Sequence, residues 1–136
     1  MVDRLGPVSR DVLLALEDAQ SDVVRTVVQR AVARTAALAG DSVDGRVISQ
    51  GMTFVLRMLS AAMGVGAIAL LDDELSWGWD RLPHDGVSPE HVLANFGLLR
   101  QVLDERLAPQ HAAAIAPYVE WMITRQAEMI QNAADS

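Results

Sequence analysis

Three histidines are the side chains best suited to acid–base or metal chemistry in this sequence. His84 lies in a stretch rich in Pro and Gly, His91 in the first turn of a predicted helix, and His111 at the start of the last predicted helix. None has a second histidine or a carboxylate at a spacing that would bring two metal ligands together. We therefore expect solvent-exposed histidines and no metal site.

Three consecutive carboxylates, Asp72, Asp73 and Glu74, are the next candidates for chemistry. Paired carboxylates can serve as general acid and base, but acidic residues at the start of a helix more often stabilise the helix dipole. The sequence also lacks the Gly-x-Ser-x-Gly motif of a serine nucleophile and the glycines of a dinucleotide-binding loop. It predicts no catalytic residue, and we expect a protein that is not an enzyme.

Composition narrows the choice of chemistry further. The chain has 136 residues, eleven basic residues that are all arginine, and a net charge of −7. Without cysteine or lysine it cannot form a disulfide, a thioether-linked cofactor or a Schiff base. An acidic chain with scattered arginines is a poor ligand for nucleic acid. We expect one domain over residues 1–136, in the cytoplasm, because no secretory signal is recognisable.

Two tryptophans, Trp77 and Trp79, stand on either side of Gly78. Side chains two residues apart do not share a helix face. One indole is therefore expected to point into the core, while the other lines a surface or pocket that suits an aromatic ligand or a partner. The alternative is that both fill space beside the small residues of the stretch 58–67, and the sequence favours neither interpretation.

Helices must position these residues, because apolar side chains recur at spacings of three and four and never alternate as in a strand. Ser88 followed by Pro89 and Glu90 is the clearest helix start. Five to seven helices with short loops predict an all-α fold. The expected helices run from Ser9 to about Leu38 with a candidate break at Gln20–Ser21, from Arg46 to Gly64, from Asp72 to Leu82, from Ser88 to Leu107, and from Pro109 onward.

The stretch Met52–Leu71 contains a single charge, Arg57, and is long enough to cross a membrane. Its many small residues lower its hydropathy, and the acidic residues Asp72 and Asp73 follow it directly. We interpret it as a buried core helix and expect no membrane span.

From Leu56 onward, several short motifs occur in a fixed order. They are Leu56-Arg57, Gly66, Leu71-Asp72-Asp73, Gly78, Gly86-Val87 and Tyr118-Val119-Glu120-Trp121. Their order and spacing resemble the phycobiliprotein family of the globin-like superfamily, over about residues 46–123. The resemblance implies a globin-like helical fold, with an N-terminal helical hairpin that is shorter than the family's.

The chain departs from this family where the family binds its pigment. The positions that correspond to the bilin-attaching Cys, to the Arg that holds the propionates and to the Asp that holds the pyrrole nitrogens are Ile48, Gln50 and Gly51. No covalent cofactor can form at Ile48. We expect a chromophore-less protein whose pocket, near these three residues and the two tryptophans Trp77 and Trp79, binds an apolar molecule, a lipid or a tetrapyrrole non-covalently, if it binds a ligand at all.

The resemblance also implies assembly. In the family, the arginine that matches Arg57 helps to bind a partner subunit through an acidic residue near the partner's N-terminus. The candidates are Asp3 and Asp11 of a neighbouring chain, and an ion pair within the chain, with Asp18 or Asp22, is an equal alternative. We expect a homodimer, or a complex with a related helical subunit.

A second, more distant resemblance concerns Gly86-Val87-Ser88-Pro89-Glu90-His91-Val92. This stretch looks like the start of the penultimate helix in globin-coupled sensors and in non-haem sensor globins. The position nearest to the haem-binding His is Leu82, so no haem is expected. The alternative function is therefore a regulatory globin module that responds to a small hydrophobic ligand.

Overall fold

Five α-helices and one short 3-10 helix make up most of the computed structural model, which describes residues 5–39 and 44–136. These described residues contain no β-strand. The predicted all-α class is therefore confirmed, and the helix number falls in the predicted range. The helices are α1 (Arg10–Ala39), α2 (Gly45–Val65), α3 (Ala69–Arg81), the 3-10 helix (Leu82–Asp85), α4 (Pro89–Arg106) and α5 (Pro109–Asp135).

The first helix, α1, is continuous, and the candidate break at Gln20–Ser21 is wrong. Leu16, Val23 and Val27 have no exposed surface and keep one apolar face in phase across the polar pair. This face packs against α2 and α4. The polar pair therefore lies on the outer side of one long helix, and residues 5–39 contain no helical hairpin.

The second helix, α2, has clear signals at both ends. The Asp44 side chain caps its start by accepting a hydrogen bond from the Arg46 backbone N–H at 2.9 Å. Gly66 ends it in the left-handed conformation, with φ of 71°. A Cβ on Gly66 would lie 2.7 Å from the Leu5 carbonyl oxygen, because residues 5–8 cross this turn. Only glycine satisfies both conditions.

The third helix begins earlier than predicted, at Ala69 instead of Asp72. The Asp72 backbone N–H already bonds to the Ile68 carbonyl at 3.0 Å, within the first turn. Its carboxylate does not cap the helix and pairs with Arg125 of α5 at 3.0 Å. The segment predicted as a loop before α4 forms the 3-10 helix Leu82–Asp85.

The predicted starts of α4 and α5 are confirmed. The Ser88 hydroxyl accepts a hydrogen bond from the His91 N–H at 3.1 Å, and Pro89 occupies the first turn. The last helix starts at Pro109 and continues through Pro117. Buried side chains of all five helices meet in one core. No helix of the described residues is long and apolar enough to cross a membrane, since the stretch 52–71 is divided by the turn at Gly66.

Candidate functional site

A cavity of about 340 Å³ lies between α2 and α3, and residues of α4 and α5 complete its wall. Its wall is mainly apolar. All five residues that the sequence predicted for a ligand pocket border this cavity, namely Ile48, Gln50, Gly51, Trp77 and Trp79. The structure thus brings together two independently predicted groups. Ile48, Gln50 and Gly51 were predicted from the family resemblance, and Trp77 and Trp79 because they form an aromatic pair.

Helical spacing explains why α2 supplies so much of the wall. Ile48, Gly51 and Val55 follow one another at intervals of three and four, so they lie on one face of the helix. Gly51 leaves this face open, because a Cβ built on it would meet no heavy atom within 4 Å. The missing side chain therefore adds to the volume of the cavity.

The exposed part of the wall, which we call the rim, is formed by Gln50, Phe54, Trp77, Arg81, Pro83 and Asp85. Trp77 is 59% exposed and stacks on Phe54, with ring centroids 6.5 Å apart and an angle of 15° between the planes. Trp79 is partly buried and also borders the cavity. Both tryptophan residues therefore border the cavity, and the Trp77 indole packs on α2 ahead of the small-residue stretch 58–67.

The buried part of the wall, which we call the inner end, contains two amides, Asn95 of α4 and Gln126 of α5. Asn95 Oδ1 accepts a hydrogen bond from Arg34 Nη2 at 3.3 Å, and Gln126 Nε2 donates to the Pro89 carbonyl at 3.1 Å. The sequence analysis missed both residues. They could have been recognised as polar residues that occur at the helical spacing of buried apolar residues, as Asn95 does next to Phe96.

The charged groups of the cavity lie mainly at the rim. Arg81 Nε pairs with Asp85 Oδ2 at 3.2 Å, and both side chains are exposed. Glu74 is partly buried, and its desolvation raises the pKa of its carboxyl group above the usual range. The wall of the cavity is therefore mainly apolar, with the Arg81–Asp85 ion pair exposed at the rim and the Glu74 carboxyl group partly buried.

Among the predicted interface residues that the structure describes, Arg57 and Asp11 do not pair with each other. Arg57 is exposed and forms no ion pair with any described residue. Asp11 and Asp18 are exposed too, whereas Asp22 pairs with Arg25 at 2.7 Å and with Arg106 at 3.6 Å. Because Arg57 is exposed, its guanidinium group needs no neighbouring carboxylate to offset a cost of burial. Asp3 lies outside the described residues.

The histidines occupy three different surroundings. His84 is exposed, as expected, and His111 is partly buried. His91 differs from the expectation, because it is partly buried and its Nδ1 atom is enclosed without a hydrogen-bond partner in the described part of the chain. Residues 5–39 and 44–136 hold no group of three or more acidic or histidine side chains that could bind a metal ion.

No protein-family model, curated protein or solved structure matches this chain. Its function must therefore be argued from the cavity and from the surface around it.

Proposed function

We propose that the protein is a non-enzymatic binding protein that holds a small, mainly apolar molecule non-covalently in the cavity between α2 and α3. One observation carries this proposal: the cavity borders Ile48, Gln50 and Gly51, the three positions at which the phycobiliprotein resemblance places the contacts to the bilin. In this interpretation, a globin-like scaffold has lost the covalent pigment and kept the space in which it was bound.

The size of the cavity bears on the ligand. Small-molecule pockets measure roughly 300–1,000 Å³, and about 340 Å³ is near the lower end of that range. Its mainly apolar wall favours a hydrophobic molecule, because burial of apolar surface drives such binding. We therefore favour a compact hydrophobic ligand over a complete tetrapyrrole.

Titration with the neutral fluorescent probe N-phenylnaphthylamine tests the proposal. The probe should bind saturably to the wild-type protein. The variant Gly51→Leu should weaken binding at least tenfold, because its side chain has room to enter the cavity. A matched control is Gly97→Leu in α4, since a Cβ there also meets no atom within 4 Å and Gly97 does not border the cavity.

Either of two outcomes would contradict the proposal: no saturable binding by a folded wild-type protein, or equal binding by Gly51→Leu and Gly97→Leu. Mass spectrometry of an organic extract of the purified protein would identify a retained ligand directly. A parallel titration with biliverdin, read by visible absorbance, separates the tetrapyrrole alternative. If biliverdin binds and Gly51→Leu abolishes this binding, the ligand class is a tetrapyrrole.

A second candidate function is assembly with another copy of this chain, through the exposed face of α2 and α3. Phe54, Leu70 and Trp77 are 51%, 37% and 59% exposed on these two helices. Large apolar side chains grouped on a surface favour a protein interface. Arg57 lies on the same helix without an ion pair among the described residues, so it is available to a carboxylate such as the exposed Asp11 of a neighbouring copy.

Sedimentation velocity tests the assembly candidate. Wild-type protein should sediment as a dimer and Arg57→Glu as a monomer, whereas Arg46→Glu, an exposed charge reversal at the other end of α2, should leave the dimer intact. The double variant Arg57→Glu/Asp11→Arg should restore the dimer. A monomeric wild-type protein, or a dimer that ignores Arg57→Glu, would refute this interface while leaving the cavity proposal unaffected.

A further inference from the structure

The inner end of the cavity contains two amides that are almost completely buried. Asn95 is 7% exposed and Gln126 is 2% exposed. Both border the cavity and both belong to helices that also form the core. Buried polar side chains normally satisfy their hydrogen bonds within the protein. Any donor or acceptor atom of Asn95 and Gln126 that has no protein partner therefore indicates which ligand groups the cavity can bind.

The hydrogen bonds of the two amides fix their orientation. The Pro89 carbonyl can only accept a hydrogen bond, so the group that faces it must be the NH₂ group of Gln126. The Arg34 guanidinium can only donate, so the group that faces it must be the carbonyl oxygen of Asn95. Neither assignment can be exchanged without placing two donors or two acceptors against each other.

This orientation leaves one donor and one acceptor free at the inner end. Asn95 Nδ2 donates to no described residue, and Gln126 Oε1 accepts from none. Neither atom is among the enclosed atoms without a partner, so both are reached by water from the cavity. A ligand that displaced this water without replacing its hydrogen bonds would lose free energy. The guanidinium of Arg34 draws electron density from the Asn95 carbonyl, which makes the Asn95 NH₂ group a better donor.

The charges around the cavity argue against an ionised ligand group at this end. Arg81 and Asp85 neutralise each other at the rim. Arg34 reaches Asn95 but does not itself border the cavity. The raised pKa of the Glu74 carboxyl supports the same view, because the surroundings already disfavour a charge there.

We propose that the ligand carries an uncharged amide, whose carbonyl accepts from Asn95 Nδ2 and whose N–H donates to Gln126 Oε1, while its hydrocarbon part lies between α2 and α3. This inference rests on the proposed function, since it requires that the cavity binds a ligand. It specifies the chemical class, because a neutral amide supplies the one acceptor and the one donor that the two free atoms require.

Competition against N-phenylnaphthylamine with three probes of equal length tests the inference. The probes are phenylbutanamide, the methyl ketone in which CH₃ replaces NH₂, and phenylbutanoate at neutral pH. The amide should bind at least tenfold more tightly than the ketone, which lacks the donor, and than the carboxylate, which lacks both the donor and a buried counter-charge. The ketone should still bind, because its hydrocarbon part is the same.

Two variants test whether Gln126 and Asn95 cause the preference for the amide. Gln126→Met keeps the side-chain length but removes the acceptor, so it should abolish the preference for amide over ketone. Asn95→Asp keeps an oxygen for Arg34 but replaces the donor, so it should weaken amide binding tenfold and strengthen the binding of phenylbutylamine. Gln131→Met, on the exposed side of α5, is the matched control and should bind as the wild type does.

Each result has one meaning. If no probe binds the folded wild-type protein, the proposed function itself fails. If amide and ketone bind equally and both respond to Gly51→Leu, the cavity binds ligands but the amide inference is wrong. Tightest binding of phenylbutanoate would overturn it in favour of an anion. Should a variant fail to unfold cooperatively in a thermal melt, the wild-type ranking of amide over ketone still decides.

Discussion

The two halves of α2 differ in what their inner faces contact. In the C-terminal half, Leu56, Leu59 and Met63 have no exposed surface and lie in the core. In the N-terminal half, Ile48 and Gly51 border the cavity instead. One helix thus supports the fold with one half and leaves space with the other. The difference lies in the side-chain volume of the inner face: Leu56, Leu59 and Met63 fill it in the C-terminal half, whereas Gly51 contributes no side chain to it in the N-terminal half.

The largest expected effect comes from truncating matched side chains in the two halves. Leu59→Ala should lower the free energy of unfolding by about 4 kcal/mol, because it opens a new hole in a filled core. Ile48→Ala loses the same number of carbons, yet it should cost only about 2 kcal/mol because it widens an existing cavity. Urea denaturation measures both values, and equal losses would show that the two halves are packed alike.

We expect a smaller difference in stability between alanine substitutions at two glycines of α2, Gly51 and Gly45. Gly51→Ala should raise the free energy of unfolding by about 0.5–1 kcal/mol, because alanine favours the helix interior and its Cβ enters open space. Gly45→Ala should change it little, since Gly45 is the first helical residue and its Cβ would make ordinary contacts with Val28 at 3.5 Å and Val32 at 3.7 Å. A loss of stability in Gly51→Ala would contradict an open wall at this position.

The smallest effect concerns Glu74 on the cavity wall. Its raised pKa means that the folded protein binds the proton more tightly than the unfolded chain does. This contribution to stability is complete below the usual glutamate pKa and is lost as the pH rises through the raised value. Glu74→Gln should therefore be more stable than the wild type at neutral pH, by a fraction of a kcal/mol.

Thermal melts across the acidic range check the Glu74 prediction. The difference in melting temperature between Glu74→Gln and the wild type should disappear at the acidic end, where Glu74 is protonated. Glu17→Gln provides the control, because Glu17 is exposed on α1 and forms no ion pair with a described residue. A difference that persists unchanged at low pH would mean that desolvation of the carboxylate is not its cause.

Much of the helical framework could be predicted because local chemistry determines it. Ser88 and Pro89 specify the start of α4. Gly66 ends α2 in a left-handed backbone conformation that other residues rarely adopt. The break expected at Gln20–Ser21 failed for the opposite reason. Two polar residues on the outer face of a helix look like a boundary until the packing of the inner face is known.

Some residues of the candidate site could likewise be predicted from the sequence, and others could not. Gly51 could be selected because it corresponds to a pigment-binding position of the family that the sequence resembles, and Trp77 because it forms an aromatic pair with Trp79 around Gly78. Asn95 and Gln126 stand out in the sequence only as polar side chains in phase with an apolar face. Their place in the site could not be predicted, because their partners Arg34 and Pro89 are 61 and 37 residues distant. Hydrogen bonds over such separations follow from tertiary packing, which periodicity does not encode.

The stack of Phe54 and Trp77 at the rim has a practical consequence. An indole that is 59% exposed emits at the long wavelengths typical of tryptophan in water. A molecule that entered between α2 and α3 would cover this ring and shift its emission toward the blue. Entry of such a molecule would therefore be detectable without an attached dye, as a change in the Trp77 contribution to the summed emission of Trp77, Trp79 and Trp121.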